Sequence, residues 1–400
     1  MKGVEKFLVI PILFFGLGVG LGCHHEVKRE AHPAKATPGQ TIPPPFEFAD
    51  DLDRTSLILA IRRNLEYLER LDPKTVFRYG PRDFTSVQVR ESQELFLSLL
   101  LKDPDAARLS REIREKFRVY RAEGQSGGGQ ILFTGYYEPL FEGRLTPDKT
   151  FKYPLYAPPG DLVRIDLSPF GERFKGEEIV ARIDGRKVLP YYSRYQIEAE
   201  RMLDGKGLEI AWLKNPVDVA FLHIQGSGRV RLPDGKDLLV HYKTSNGRPY
   251  RSIGRYMIEK EFLTREEMSM QAIRRYLTEH PEVIEEVLNH NPSYVFFEKV
   301  GDGPLGSLGV LLTAGRSVAL DPKVYPRGAL GFISCRKPVA DARGDITGWV
   351  PFSRFILNQD SGGAIKGAGR ADIFWGSGPY AELAAGHLKH EGELYFLMKK

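Results

Sequence analysis

Asp360 and Asp372 stand twelve residues apart in QDSGGAIKGAGRAD, with Gly362, Gly363, Gly367 and Gly369 between them. Glycine has no Cβ, so backbone at such positions can approach a ligand closely. Ile373, Phe374 and Trp375 follow Asp372, and a carboxyl against apolar surface resists ionisation, which raises its pKa. A carboxylic acid still protonated near neutral pH is what a leaving glycosidic oxygen requires. An aspartate beside aromatics is more often a turn or cap residue than a catalyst, and the spacing alone leaves both readings open. Two more glycine-bearing segments carry chemistry. In FTGYYEP, Thr134, Tyr136 and Tyr137 surround Gly135 and offer hydroxyls and flat rings for stacking on sugars, or else an aromatic strand packed in a core. In HIQGSG, Gln225 and Ser227 alternate with Gly226 and Gly228 behind the apolar run 219–224. This pattern predicts a loop at the end of a strand, where ligands are met.

Other motifs dissolve on inspection. GDGPLG at 301–306 satisfies the glycine spacing of a dinucleotide-binding loop, but Pro304 and the strand-like residues 309–313 stand where a helix must begin. His387 and His390 are three apart, without the four-residue spacing of a zinc protease helix, and read as solvated surface histidines. Asp360-Ser361-Gly362 occurs once, whereas aspartic proteases need two such loops so that paired carboxyls share a proton.

The elements that must position these residues are mixed. Leu57, Ile58, Ile61, Leu65 and Leu68 recur at helical spacing, and a second run over 87–120 predicts another amphipathic helix. GQSGGG at 124–129 breaks the pattern, and aromatic strands begin at 131–137. Residues 139–242 read as strands and loops with one helix near 195–203. Helical periodicity returns at 252–260, 264–279 and 282–288, and strand and turn resume from 308. The βαβ alternation of a parallel doubly wound sheet is missing, so a barrel is expected.

Composition sets the outer limits. Of the 400 residues 42% are hydrophobic and 27% charged, which excludes wholesale disorder, collagen and coiled coil. The 41 Gly and 27 Pro exceed what a helical bundle tolerates. The net charge of +5 is not gathered into a basic stripe, so no nucleic-acid partner is expected. Two cysteines, Cys23 and Cys335, cannot build a disulfide scaffold or a cysteine zinc site, and no metal or organic cofactor is implied. Lys2 and Lys6 precede an uncharged apolar stretch over 7–21, too short for a bilayer span and patterned as a secretory signal. Residues 24–45, rich in Pro, Ala, His, Lys and Thr without periodicity, read as a tether. Cys23 sits where the apolar run stops, and the stretch resembles a bacterial lipoprotein signal that leaves Cys23 lipidated.

Six segments in order, FTGYYEP, QGSG, YRSIGRYMIE (250–259), MSMQAIR (268–274), NPSYVFF (291–297) and QDSGGAIKGAGRAD, resemble the membrane-bound lytic murein transglycosylase A family over 133–395. The resemblance implies an α+β chain: a large double-psi β-barrel domain with flanking helices (46–138 and 300–400), a smaller inserted β-barrel domain with helices (139–299), and a groove between them. Residues 1–22 would be the signal peptide and 23–45 the tether. The closing segment resembles the 3D domain, whose three aspartates would be Asp321, Asp360 and Asp372. The resemblance further implies cleavage of the β-1,4 bond between N-acetylmuramic acid and N-acetylglucosamine without added water, leaving a 1,6-anhydro end. Asp372 would be the general acid and base, Asp360 and Asp321 supporting acids. Thr134, Gly135, Tyr136, Tyr137, Gln225, Gly226, Ser227, Gly228, Gly362 and Gly363 would line the site. The partners implied are peptidoglycan glycan strands and, through a lipid anchor at Cys23, a membrane; His24 after the cysteine favours the outer membrane facing the periplasm. Two alternatives share these features: a wall-binding lipoprotein that needs no acid at Asp372, and a muramidase that would require a second carboxylate.

Overall fold

The computed structural model describes residues 47–102, 104–125 and 127–400. The expected signal peptide, tether and lipid-bearing Cys23 lie outside the described residues. The helix α1 (Arg54–Glu69) leads into a hairpin of β1 (Val76–Tyr79) and β2 (Arg82–Thr85), then α2 (Ser86–Leu100), α3 (Ala106–Lys116) and β3 (Phe117–Arg121). The single helix expected over 87–120 is therefore two helices and a strand. Pro104 lacks the N–H that a helix interior needs, and Asp105 caps α3 by accepting from the Arg108 N–H at 2.7 Å.

β4 (Ile131–Glu138) runs directly into a second set of elements: β5 (Leu140–Arg144), β6 (Tyr153–Tyr156), β7 (Val163–Asp166), β8 (Glu178–Asp184), β9 (Lys187–Pro190), α4 (Arg194–Glu198), β10 (Glu209–Leu213), α5 (Pro216–Gln225), β11 (Ser227–Arg231), β12 (Asp237–Ser245), α6 (Ile253–Glu259), α7 (Met270–Glu279), α8 (Ile284–Asn289) and β13 (Val295–Val300). The chain closes with β14 (Ser317–Ala319), β15 (Leu330–Ala340), β16 (Ile346–Asp360), β17 (Arg370–Ser377), α9 (Pro379–His387) and β18 (His390–Lys399).

Strands β15, β16, β14, β17, β4 and β18 hydrogen-bond in that order, and β18 pairs again with β15. The six-stranded sheet is thus a closed barrel, with β3 attached to β18. It mixes parallel pairs, β14 with β16 and β4 with β17, among antiparallel ones, as a double-psi barrel does. Every barrel strand sends side chains into one interior cluster, among them Phe133, Val318, Ile333, Ile356, Ile373 and Phe396. Part of the outer surface, through Phe332, Phe355 and Leu397, is covered by α1, α2 and α3. The helix α9, absent from the sequence reading, packs against this barrel through Ala381, Ala384 and Ala385; its small residues carry too little hydrophobic periodicity to announce it. His387 and His390 are half-buried rather than solvated, and the ring of His390 lies 4.1 Å from that of Trp349.

The second sheet has the order β13, β12, β11, β5, β10, β6. Its core is shared with α5, α6, α7 and α8. The strand expected before Gln225 is instead helical: residues 219–224 form the body of α5. Pro216 begins that helix, Asn215 caps it by accepting from the Val217 N–H at 2.8 Å, and Gly226 ends it at φ +78°. Seven of its ten residues are buried, so it is apolar nearly all round and shows no polar face to read.

Candidate active site

Three neighbouring strand pairs put four residues in one row. Ala319 of β14 pairs with Asp360 of β16 on one side and with Asp372 of β17 on the other, and Asp372 pairs with Thr134 of β4. Adjacent strands lie about 4.8 Å apart, so the two aspartate Cα atoms are separated by about 10 Å. The alignment depends on a register shift between Val318 and Ala319, where β16 carries one extra residue; such bulges re-aim side chains. The side chain of the extra residue, Gln359, is held by Ser317 Oγ at 2.6 Å and by the Ala60 carbonyl at 3.2 Å.

Alternation along the strands separates inside from outside. Ala371, Ile373 and Trp375 enter the barrel interior, whereas Asp372 and Phe374 face out. On β4 the interior takes Ile131, Phe133 and Tyr137, and the outer face takes Thr134 and Tyr136. Tyr136, Phe374, Ala319 and Leu312 form a small apolar cluster around the row.

The Thr134 hydroxyl donates to Asp372 Oδ1 at 2.6 Å, and Arg370 Nη2 donates to the same Thr134 oxygen at 3.2 Å. Burial pushes the Asp372 carboxyl up to about 6, against the opposing influences of the Thr134 hydroxyl and the Arg370 charge, with a smaller upward push from Asp360. Its side chain remains partly open to solvent, so a ligand can reach it. Asp360 is differently held. Its Oδ2 accepts from the Tyr136 hydroxyl at 2.8 Å, and its Oδ1 accepts from the backbone N–H groups of Ser307 at 2.9 Å and Ser361 at 2.8 Å. Burial raises its pKa too, but those donors stabilise the charged form. The row therefore contains one carboxyl poised to hold or release a proton near pH 6 and one tied as an acceptor on both oxygens.

The other expected site residues divide into four groups. Asp321 is buried and braces the loop before β17, accepting from the Gly367 N–H at 2.7 Å and the Lys323 N–H at 2.9 Å. Gln225 accepts from the Tyr137 N–H at 3.0 Å, which joins the second glycine segment to the first. Tyr137 is otherwise packed in the barrel interior, with its side chain on the face opposite Thr134. Gly135 and Gly228 answer packing needs: a Cβ on Gly135 would lie 2.6 Å from Trp375 Nε1, and one on Gly228 2.5 Å from Leu222 Cδ1. Gly226 is the cap of α5, Ser227 is buried at the start of β11, and Gly362 and Gly363 lie in the loop leaving Asp360, where a Cβ on Gly363 would meet nothing within 4 Å. Sequence reasoning left Arg370 without a role. Its place two residues before Asp372 in a strand, hence on the same face, was the available signal.

GDGPLG makes no nucleotide loop: residues 307–313 that follow it contain no helix. A cavity of about 820 Å³ lies elsewhere, on the second sheet between β6, β10 and α8, lined by Tyr153, Trp212, Glu198 and Asn289. None of the row's residues line it.

Comparison with known proteins places these features. Residues 132–298 match the model described as the MltA specific insert domain, and 316–398 match the 3D domain. The chain is 34% identical over 280 residues to the membrane-bound lytic murein transglycosylase A of Vibrio cholerae, covering 68% of each chain. It is 33% identical over 282 residues to the protein of that name from Escherichia coli K12, covering 70% of this chain and 68% of that one. Among solved structures it resembles a membrane-bound lytic murein transglycosylase from Agrobacterium tumefaciens, with 31% identity, a TM-score of 0.72, and coverage of 87% of this chain and 93% of that one. It also resembles E. coli MltA with bound chitohexaose, at 25% identity and a TM-score of 0.69, covering 92% and 97%. With identity above 30% over two thirds of both chains and matches to both domain models, the chain belongs to the membrane-bound lytic murein transglycosylase A family.

Proposed function

We propose that this protein is a lytic transglycosylase that cleaves the β-1,4 bond between N-acetylmuramic acid and N-acetylglucosamine in peptidoglycan, with Asp372 as both acid and base. The observation that carries the reading is the contrast within the row: Asp372 is held near 6 by burial, while Asp360 has both oxygens occupied by donors. Asp372 gives its proton to the glycosidic oxygen as the bond to the muramyl anomeric carbon breaks. Positive charge develops at that carbon, and the muramyl C6 hydroxyl attacks it from within the same sugar. The hydroxyl proton passes to the Asp372 carboxylate, which restores the acid and leaves a 1,6-anhydro ring. No water enters, and no protein nucleophile is needed because the attacking group is already held beside the carbon. A glycosidase of the two-carboxylate kind would use its second carboxyl as nucleophile or base; Asp360, saturated with donors, is suited to orienting the row and adding negative potential.

The chitohexaose bound to the E. coli relative supports a glycan ligand at the row, in a cleft expected between the two domains. We assign Thr134, Tyr136 and Gln225 to the walls of that cleft, with 46–138 and 300–400 forming one domain and 139–299 the other. A lipid on Cys23 would hold this body at the outer membrane, facing the wall.

The test is mass spectrometry of fragments released from sacculi by the purified protein and by D372N. Muropeptides lighter by one water than reducing ones, released by wild type and not by D372N, are expected. Reducing muropeptides would make the protein a muramidase, and a folded wild type that binds sacculi but releases nothing would make it a wall-binding lipoprotein.

A further inference from the structure

Arg370 is an unusual residue to find beside a general acid. It stands two residues from Asp372 on the same strand, so their side chains leave the same face from Cα atoms about 6.7 Å apart. Its positive charge favours ionised Asp372, the opposite of what an acid catalyst needs. Nor is it neutralised: among the described residues it forms no ion pair, its protein hydrogen bond is the one from Nη2 to Thr134 Oγ1 at 3.2 Å, and its Nε is buried without a partner. Two arginines buried more deeply in the barrel are saturated. Arg316 is held by Asp50 and three further oxygens, and Arg354 meets both oxygens of Asp51 at 2.8 Å. A half-buried guanidinium anchored at one corner, with Nη1 unused by the protein, is shaped to receive a carboxylate, the planar group that arginine pairs with best.

We infer that Arg370 binds the lactyl carboxyl of the muramyl residue beside the scissile bond. That group is the chemical difference between the two alternating sugars. It is a free carboxylate where the peptide stem has been removed and an amide where the stem remains. Arg370 therefore makes stem-free glycan the preferred ligand, because a charge-assisted bond to a carboxylate exceeds one to an amide carbonyl. The inference rests on the cleavage proposed above, which supplies the muramyl ligand.

The experiment uses the full chain carrying D372N, so that ligands are bound without turnover, with and without R370Q. Calorimetry compares chitohexaose, a stem-free hexasaccharide with free lactyl carboxylates, and the same hexasaccharide with the carboxyls amidated. D372N is expected to bind the stem-free glycan about tenfold more tightly than chitohexaose at low salt, with the amidated glycan between them. R370Q should bring the three affinities within about twofold, and R370K, which keeps the charge but not the fork, should retain part of the preference. A preference that persists in R370Q with its fold intact by circular dichroism, or no preference in D372N, would overturn the inference. These readouts are independent of the chemistry. If wild type released no anhydro fragments while the preference still depended on Arg370, the cleavage reading would fall and the recognition would stand.

Discussion

Two regions of this molecule bury titratable groups, and they resolve the cost in opposite ways. On the second sheet, Arg194 is 1% exposed and wholly partnered: Nη1 donates to Glu198 Oε1 at 2.7 Å, Nε to the Asn291 carbonyl at 3.2 Å, and Nη2 to the Ser293 carbonyl at 3.1 Å, with His223 Nδ1 at 2.9 Å. Its guanidinium also lies over the Tyr294 ring at 5.2 Å. His223 is held neutral, its pKa driven well down by burial and by the Arg194 charge. On the barrel, Asp372 has no such counter-charge in contact among the described residues. Its donor there is a neutral hydroxyl, and the carboxyl is raised rather than locked. A perturbed pKa therefore does not by itself mark a site. The informative combination is perturbation without neutralisation, at a place a ligand can reach.

The comparison breaks most visibly at Asp372. D372N should lower fragment release by about 10³-fold, within the range that removing a general acid costs. It should also unmask what the acid does to stability. Because burial raises the folded pKa above the unfolded value of about 4, neutral Asp372 favours the fold at low pH, and this contribution is lost as pH rises through about 6. D372N, which never ionises, should therefore melt above wild type at pH 8, with the gap closing by pH 4. A variant less stable than wild type at pH 8 would place Asp372 with the structural charges.

R194M is the opposite experiment. Taking away one partner of a buried pair leaves Glu198 without its cation and should cost about 3 kcal/mol in urea unfolding. Fragment release per folded molecule should stay at the wild-type level, since Arg194 bonds to Glu198, His223, Asn291 and Ser293 and to none of the row's residues. Loss of activity at unchanged stability would dissolve the distinction between the two regions.

Much of the row is legible in the amino-acid sequence, and the reason is local. The Asp372 environment follows from three apolar residues immediately after it, and β4 announces itself through aromatic and β-branched residues, Ile131, Phe133, Thr134, Tyr136 and Tyr137. Which face each residue takes is not legible there. Thr134 and Tyr137 are three apart in one segment, yet one meets the acid and the other fills the barrel; only the pairing register decides this, and register is set by strands from the far end of the chain. Gly135, Gly226 and Gly228 look like ligand-approach glycines in the sequence and are explained by Trp375, a helix end and Leu222. The same nonlocality hid α5, whose burial on nearly every side erased the polar stripe that would have identified it.

Within the row, two hydroxyls allow a finer test. T134V keeps the shape and removes the donor to Asp372 Oδ1. That hydrogen bond favours the charged carboxyl, so its loss should raise the Asp372 pKa and carry the alkaline limb of the activity profile upward. A bond worth about 1 kcal/mol corresponds to somewhat under one pH unit.

Y136F should move the same limb the other way, and less. Tyr136 donates to Asp360, not to Asp372, and its ring contact with Phe374, with centroids 5.2 Å apart, survives the change. Without the hydroxyl, Asp360 is less stabilised as a carboxylate and its pKa rises. Its negative charge is the weakest of the four influences on Asp372, so reducing it lowers the Asp372 pKa by about a few tenths of a unit at the dielectric of such a site. Opposite signs from two conservative hydroxyl removals, read on one pH profile, distinguish a direct donor from one acting through the second carboxylate. Shifts of the same sign would mean that Tyr136 influences Asp372 by its ring or by the shape of the cluster, and Asp360 would then be a brace with no electrostatic part in the acid's behaviour.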